Sequence, residues 1–311
     1  MRRLVWLIDA YGAGVLLLLA LRVVIGERWV VIALANTFLP FVLAPCLLLA
    51  LLRLHWRRRA LALLNAMPAL LLLTHVLPLL LPREPVMPNE ESQFQIFSYN
   101  VLAGNDREPM ISDLILAANA DIVLLQDVHP NAARTLETTF IGEYPHIRFH
   151  IGERRGWMSL SRLAFVDEPA FNEDTGYLRT TISVTGEPIT VYNVHLASPN
   201  TPEGLDFDTR SRQLDELVAD GARRSHPVVM MGDFNFNDWS EPYGRIAAYL
   251  RDAHRERGWG LGFTRDIAGE FPIARIDFAF FSAGLQAVDF QTSAASYGSD
   301  HRPIVAVFGL D

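Results

Sequence analysis

The chain opens on three long apolar runs and then changes its period. Residues 4–25 form a run of 22, with Asp9 and Arg22 near its ends. Residues 29–52 form a run of 24 with no charge, and residues 60–81 a run of 22 whose one titratable group is His75. A bilayer core takes roughly 20 apolar residues as helix, so each run predicts a helix long enough to span. The competing reading, helices buried in a soluble bundle, is weakened because the last two runs show no polar face. A cleaved signal peptide would account for the first run alone.

From Gln93 onward strands and helices alternate. Period-two alternation or short apolar runs bounded by polar residues predict strands over 94–99, 122–126, 159–166, 178–184, 189–195, 228–231, 276–281, 287–292 and 304–308. Helical spacing marks 110–119 and 209–224, and Gly186-Glu187-Pro188 reads as a turn. This mixture predicts two packed sheets with helices outside. Three segments result: residues 1–84 with three transmembrane helices, a proline-containing tether over 85–92, and an α/β domain over 93–311.

Charge sharpens the division. Residues 1–91 carry nine Arg against five Asp or Glu, a net +4, and residues 92–311 carry 18 Arg against 30 acidic residues, a net −12. All 27 basic residues are Arg, which reads as a coding bias. Arg2, Arg3, Arg53, Arg57, Arg58 and Arg59 fall on one side of the expected membrane segment. An excess of arginine marks the cytoplasmic side, so the N-terminus is expected in the cytoplasm and the C-terminal domain outside it, with residues 4–81 in the lipid bilayer of a bacterial inner or cell membrane. Cys46 is the only cysteine. It excludes an internal disulfide and a thiolate metal centre, and any metal must take oxygen and nitrogen ligands.

Polar residues recur where the expected strands end: Asn100 after Ile96-Phe97-Ser98-Tyr99, Gln126-Asp127 after Val123-Leu124-Leu125, Asn193 and His195 in Tyr-Asn-Val-His-Leu, Asp233 and Asn235 in Met-Gly-Asp-Phe-Asn, Asp277 in Arg-Ile-Asp-Phe, and Asp300-His301 in Gly-Ser-Asp-His-Arg-Pro. Ligand sites in α/β sheets gather at strand ends. Cleaving a phosphate ester calls for a hard cation held by oxygens, and Asn100, Asp127 and Asp300 offer an amide and two carboxylates. It also calls for a group that takes the proton of the attacking water. His301 suits that task, with Asp277 to orient its ring. His195 and Asn235 have donors for phosphate oxygens. Taken singly these segments have bland readings, as an Asx turn, a surface loop or a structural histidine; six in one domain do not.

The ordered set Tyr-Asn, Gln-Asp, Asn-Val-His-Leu, Gly-Asp-Phe-Asn, Ile-Asp-Phe and Ser-Asp-His-Arg-Pro resembles the endonuclease/exonuclease/phosphatase superfamily, which includes deoxyribonuclease I, abasic-site endonucleases, inositol-polyphosphate 5-phosphatases and secreted sphingomyelinases. The resemblance covers about residues 93–308. It implies a four-layer α/β/β/α sandwich with the site at one edge of the paired sheets, and Mg²⁺ or Mn²⁺ as cofactor. It implies a main metal site of Asn100, Asp127 and Asp300. Asp233 and Asn235 are implied to contact the water, the phosphate or a second metal, His195 to bind phosphate, and Asp277 with His301 to form the acid–base pair. Whether Asp233 or His301 takes the water proton is left open by the resemblance. Arg179 is a weaker candidate for support near the site. In one departure, this chain has Asp127 where the family usually has Glu. The side chain is one methylene shorter, so the metal is shifted, bound through water or held less tightly.

The lead expectation for substrate is DNA or RNA, and the alternative is a lipid head group or small phosphoester; no protein partner is inferred. The −12 charge of residues 92–311 argues against tight nonspecific nucleic-acid binding, although Arg154-Arg155 and Arg223-Arg224 are candidate backbone contacts. Trp157, Trp239 and Trp259 are candidates for contact with a bilayer surface, with core packing expected for at least two. A third reading is a membrane-embedded binding protein with a vestigial site.

Overall fold

The computed structural model describes residues 2–55, 59–81, 84, 88–105, 107–152, 156–201, 204–267 and 271–311. Two compact units result, one helical and N-terminal, the other α/β and C-terminal.

The helical unit holds α1 (Arg2–Ile25), α2 (Val30–Thr37), α3 (Leu39–His55) and α4 (Arg59–Val76). Two of its helical segments, Trp6–Ile25 and Ala62–Leu79, are long and apolar enough to cross a membrane, and α2 with α3 would make a third if the bent pair is one span. The run over 29–52 is therefore not the single straight helix expected. It bends by 67° between Thr37 and Leu39. Pro40 supplies the cause: its ring nitrogen has no hydrogen to give the Asn36 carbonyl one turn back, and the ring crowds that carbonyl. Val15, Leu39, Leu43, Cys46 and Ala69 pack the interior of this unit. Trp6, Val23, Val31, Leu48 and Leu63 point outward and are more than half exposed. Arg53, counted above among the arginines on one side of the membrane segment, lies inside α3, fully buried and hydrogen-bonded to Asp9. Arg57 and Arg58 lie outside the described residues, as do residues 82 and 83 and residues 85–87 of the proline-containing tether.

The α/β unit begins with β1 (Gln93–Asn100), α5 (Glu108–Ala118), β2 (Ile122–Gln126), α6 (Pro130–Phe140), β3 (His146–Ile151), β4 (Gly156–Ser161) and β5 (Ala170–Asn172). It continues through β6 (Tyr177–Val184), β7 (Glu187–His195), the short pair β8 (Asn200–Thr201) and β9 (Gly204–Leu205), α7 (Asp208–Ala222) and β10 (Val228–Asp233). Then come α8 (Glu241–Ala247), β11 (Arg251–Asp252), α9 (Ala253–Arg257), the hairpin β12 (Arg265–Ile267) and β13 (Phe271–Ala274), β14 (Asp277–Phe281), β15 (Leu285–Thr292) and β16 (Ile304–Leu310). One six-stranded sheet runs β15-β16-β1-β2-β4-β3 and the other β11-β14-β10-β7-β6-β5.

Strand alternation builds the layers. Successive side chains of a strand point to opposite faces. Ile96 and Leu124 of the first sheet therefore meet Val191, Val229, Met231 and Phe281 of the second in one core between the sheets. Phe97, Val123 and Leu125 face the other way, onto Ile111 and Ile115 of α5 and Leu136 of α6. Val228, Met230, Phe278 and Phe280 turn outward onto Leu214 and Leu217 of α7 and Ile246 of α8. The result is the expected α/β/β/α sandwich. The strand expected over 159–166 is displaced: β4 ends at Ser161, and Phe165 keeps only an isolated bridge to Ile182. The turn expected at 186–188 is tighter, with Thr185 and Gly186 at φ 51° and 92° and Glu187 already in β7.

Candidate active site

Register brings the strand-end residues together. Asn100 pairs with Gln126 across the parallel β1–β2 ladder. Asp233 pairs with His195 across the parallel β10–β7 ladder and with Asp277 across the antiparallel β10–β14 ladder. Gly232, one residue before Asp233, has φ 144°, and a Cβ there would sit 2.1 Å from the Val194 carbonyl oxygen. A glycine is thus needed for β10 to run this close to β7 and set Asp233 beside His195.

Asp233 is the hub. Its Oδ2 accepts from Asn100 Nδ2 at 3.0 Å, which ties the first sheet to the second, and its Oδ1 accepts from the Asn235 backbone N at 2.8 Å. Asn235, at φ 53°, also donates its side-chain amide to Asp233 Oδ2 at 3.2 Å and to the Leu196 carbonyl at 2.9 Å. Both donors of that amide are engaged, one on Asp233 and one on the Leu196 carbonyl. His195 Nε2 and His301 Nε2 each approach Asp233 Oδ2 to 3.6 Å. Burial pushes the Asp233 carboxyl above the usual range, and the charge of Asp277 adds to this against the two histidines.

His301 and Asp277 form a buried pair. Nδ1 of His301 lies 3.0 and 3.2 Å from the two Asp277 oxygens. Burial lowers the His301 pKa, but the charges of Asp277 and Asp233 and the Asp277 hydrogen bond outweigh it and push it up to about 9. Thr264 Oγ1 accepts from the backbone N of Ile276 and of Asp277, both at 3.1 Å, and fixes the start of β14. Ser299 Oγ accepts from His301 N at 3.0 Å and donates to the Asn100 carbonyl at 2.7 Å, joining two of the segments.

Arg265 was not singled out in the sequence. Its Nη1 lies 2.8 Å from His301 Nε2 and its Nη2 2.5 Å from Asp300 Oδ2. A guanidinium only donates, so this contact is a hydrogen bond only in the deprotonated ring, whose one proton is then on Nδ1 facing Asp277; the protonated imidazolium gives it up. Nothing in its local pattern marks Arg265; the contact joins residues 36 apart.

Of the expected cation ligands, Asn100 is 3 % exposed and sits on Asp233. Asp300 has one oxygen on Arg265, while its Oδ1 is buried without a hydrogen bond and 3.8 Å from His301 Nε2. Asp127, at φ 58°, accepts weakly from Ala103 N at 3.4 Å, in the loop that follows Asn100. A second grouping, Asp233, Asp277 and His301, brings ligand atoms within 4.8 Å of one another. His301 is already hydrogen-bonded to Asp277, and Asp233 to Asn100 and Asn235, an arrangement suited to moving a proton rather than to holding an ion. The orphaned Asp300 oxygen and the hard amide and carboxylate donors of Asn100 and Asp127 suit a Mg²⁺-like ion better.

Other candidates lie elsewhere. Asn193 is fully buried and pins the sheets together: it accepts from Gln126 Nε2 at 2.8 Å and donates to the Leu125 and Met158 carbonyls. Arg179 turns to the outer face and binds Asp220 of α7 at 2.8 Å, where Arg223 and Arg224 are also held. None of the three arginines joins the site. Arg154 and Arg155 lie outside the described residues. Trp157 and Trp239 are buried, and Trp259 is exposed.

A profile of the Endonuclease/Exonuclease/phosphatase family matches residues 97–301, from β1 to His301. This chain belongs to that family, whose members are typically phosphoester hydrolases that use a divalent metal. No curated protein matches it. Among solved structures it is similar to the endonuclease/exonuclease/phosphatase from Bacteroides vulgatus, at 18 % identity and TM-score 0.60 over 70 % of this chain and 99 % of that one. The corresponding protein from Beutenbergia cavernae is 21 % identical, with TM-score 0.57 over 70 % and 72 %. D. rerio TDP2, whose structure holds a single-strand DNA product, is 18 % identical, with TM-score 0.57 over 70 % and 99 %.

Proposed function

We propose that this protein is a membrane-anchored, Mg²⁺- or Mn²⁺-dependent phosphoesterase whose lead substrate is DNA or RNA. The observation that carries the reading is the buried unit of Asp233, Asp277 and His301, coupled through Asn100 to the other sheet at the strand ends. Asn100, Asp127 and Asp300 would hold the cation, which supplies Lewis-acid charge at the phosphoryl oxygens. A water oxygen bonds to phosphorus in line with the ester oxygen. The phosphorus–ester bond breaks with its electron pair on the leaving oxygen, which then takes a proton from solvent. The proton of the water passes to the Asp233–His301 pair, whose two groups face each other at 3.6 Å. Asp277 orients the imidazole, Asn235 orients Asp233, and His195 presents a donor beside the same carboxylate. The DNA product held by the similar TDP2 supports nucleic acid as substrate.

A lipid head-group or small-molecule phosphodiester is the second reading. It is favoured by the net −12 of residues 92–311 and by a link of only 11 residues between Leu81 and Gln93. The apolar outward faces of α1, α3 and α4 support anchoring, and the arginine distribution supports a cytoplasmic N-terminus with the catalytic unit outside. The deciding experiment incubates the detergent-solubilised full chain, with Mg²⁺ or Mn²⁺, with plasmid DNA, RNA, sphingomyelin and inositol phosphates. Cleavage of nucleic acid that is lost on His301→Ala bears out the lead reading. Cleavage of the lipid or inositol substrates alone replaces it with the second. Bound metal with no hydrolysis of any of them means a vestigial site. For topology, a C-terminal reporter active only in the cytoplasm would overturn the outward placement.

A further inference from the structure

We propose that Arg265 is the phosphate-binding cation of this site, taking two non-bridging oxygens of the scissile group through its guanidinium fork. The proposal rests on the phosphoesterase reading above and names the group that receives the anion.

Arg265 is held by its backbone. It forms an isolated antiparallel bridge with His301, and on either side Asp266 N donates to the Asp300 carbonyl at 2.9 Å and Arg302 N to the Thr264 carbonyl at 2.7 Å. The Arg302 side chain closes the same seam on Asp266 at 2.8 Å. The β12–β13 ladder shifts register between Arg265 and Asp266. Such a bulge re-aims one side chain while the strand continues, and here it sends the guanidinium to His301 and Asp300. The side chain stays 37 % exposed, so it is within reach of an anion arriving from solvent.

The chemistry around it requires such a group. Asp127, Asp233, Asp277 and Asp300 place four carboxylates at these strand ends, a field that repels a phosphate. Arg265 brings a fixed charge of the opposite sign and a planar fork that matches phosphate geometry. Asp300 Oδ2, its present partner, belongs to a carboxylate that is also a candidate cation ligand and already has one oxygen without a hydrogen bond. Guanidinium and cation contend for that carboxylate. When Asp300 is engaged by a cation, Arg265 Nη2 loses its partner and a phosphate oxygen takes the vacated place.

The test titrates inorganic phosphate into the full chain in detergent by calorimetry, with and without Mg²⁺, for wild type, Arg265→Ala and Arg265→Lys, each first checked for an unchanged melting temperature. Losing two charge-assisted hydrogen bonds should weaken phosphate binding by at least about tenfold in Arg265→Ala. Arg265→Lys should fall between, because it keeps the charge and loses the fork. Phosphate binding by Arg265→Ala equal to wild type, or no binding by wild type at millimolar phosphate, overturns the proposal. With a cleaved substrate, the variant should raise KM more than it lowers kcat; a fall in kcat alone marks a purely structural arginine and also overturns it. The titration decides even if no phosphoester is hydrolysed, so failure of the enzyme reading and failure of this one are told apart. If Arg265→Ala does not fold, Arg265→Lys carries the same comparison.

Discussion

Replacing Asp277 by Asn probes the proposed proton-handling unit with almost no change in shape. Asp277 is 3 % exposed and offers both oxygens to His301 Nδ1, at 3.0 and 3.2 Å. Its charge is the foremost influence lifting the imidazole pKa to about 9 against burial. Asn removes that charge and brings an amide that presents either its oxygen or its NH2 to the ring. With the NH2 inward, the ring proton must move to Nε2. There it would meet the Arg265 Nη1 donor that lies at 2.8 Å, so either the ring or Arg265 must swing away. Misplaced or mistimed proton transfer costs about 10²- to 10⁴-fold in rate, or about 3–5 kcal/mol of barrier at 1.36 kcal/mol per tenfold. The start of β14 keeps its two hydrogen bonds to Thr264, so the fold should survive. The assay is kcat for a chromogenic phosphodiester at saturating Mg²⁺, read across pH. The variant should lose at least about a hundredfold in kcat, and the limb set by His301 should move to lower pH. A kcat within about threefold of wild type, with melting unchanged, would refute the assignment of Asp277 and His301 as a functional pair.

How far the sequence reveals this arrangement depends on whether the signal is local. The run over 122–126 is buried on both faces between the inter-sheet core and α5–α6, so it stands out as an apolar block, and β2 has just those bounds. The gathering of the candidate site residues was legible for the same reason: they follow such blocks, and parallel register carries neighbouring strand ends to one edge. The helix α6 escaped because its buried positions are Ala132, Ala133, Leu136 and Phe140 in a segment otherwise rich in Thr and polar residues. The bend at Phe38 was hidden inside a uniformly apolar run, where Pro40 was the signal passed over. Asn193 and Arg179 show the limit of the strand-end rule. Neither is distinguished in sequence from His195, yet one faces the inter-sheet seam and the other the outer helix layer. Arg265 had no local mark, because its meaning comes from a bridge to His301 that only the tertiary fold makes.

Asp127→Glu restores the longer carboxylate usual in the family at a position where an αL backbone (φ 58°) is more natural for Asp. It should tighten the half-saturating Mg²⁺ concentration by about threefold or more, and weaker binding would show that the loop after Asn100 is fitted to Asp. Gly232→Ala must push a Cβ into the Val194 carbonyl, 2.1 Å away, at φ 144°. It should abolish folded protein in a detergent melt, and a wild-type melt would refute the close approach of β10 and β7. His254 is 1 % exposed, and neither ring nitrogen has a hydrogen-bond partner. Burial, with Arg275 adding to it, drops its pKa to about 3, against Asp252 and Asp238. The folded state therefore keeps His254 neutral below pH 6.5, where the unfolded chain takes up a proton. Stability from this group is fully present above about pH 6.5 and is lost as pH falls toward 3, at up to about 1.4 kcal/mol per pH unit. Its charged neighbours, Asp252, Asp238, Arg255 and Arg275, are common to the wild type and a His254→Leu variant, so the difference between the two isolates the histidine. Between pH 7.5 and 4.5 the wild type should lose more stability than His254→Leu. Parallel curves would mean that the protonated imidazolium finds a hydrogen-bond acceptor in the folded state, contrary to its burial without a partner.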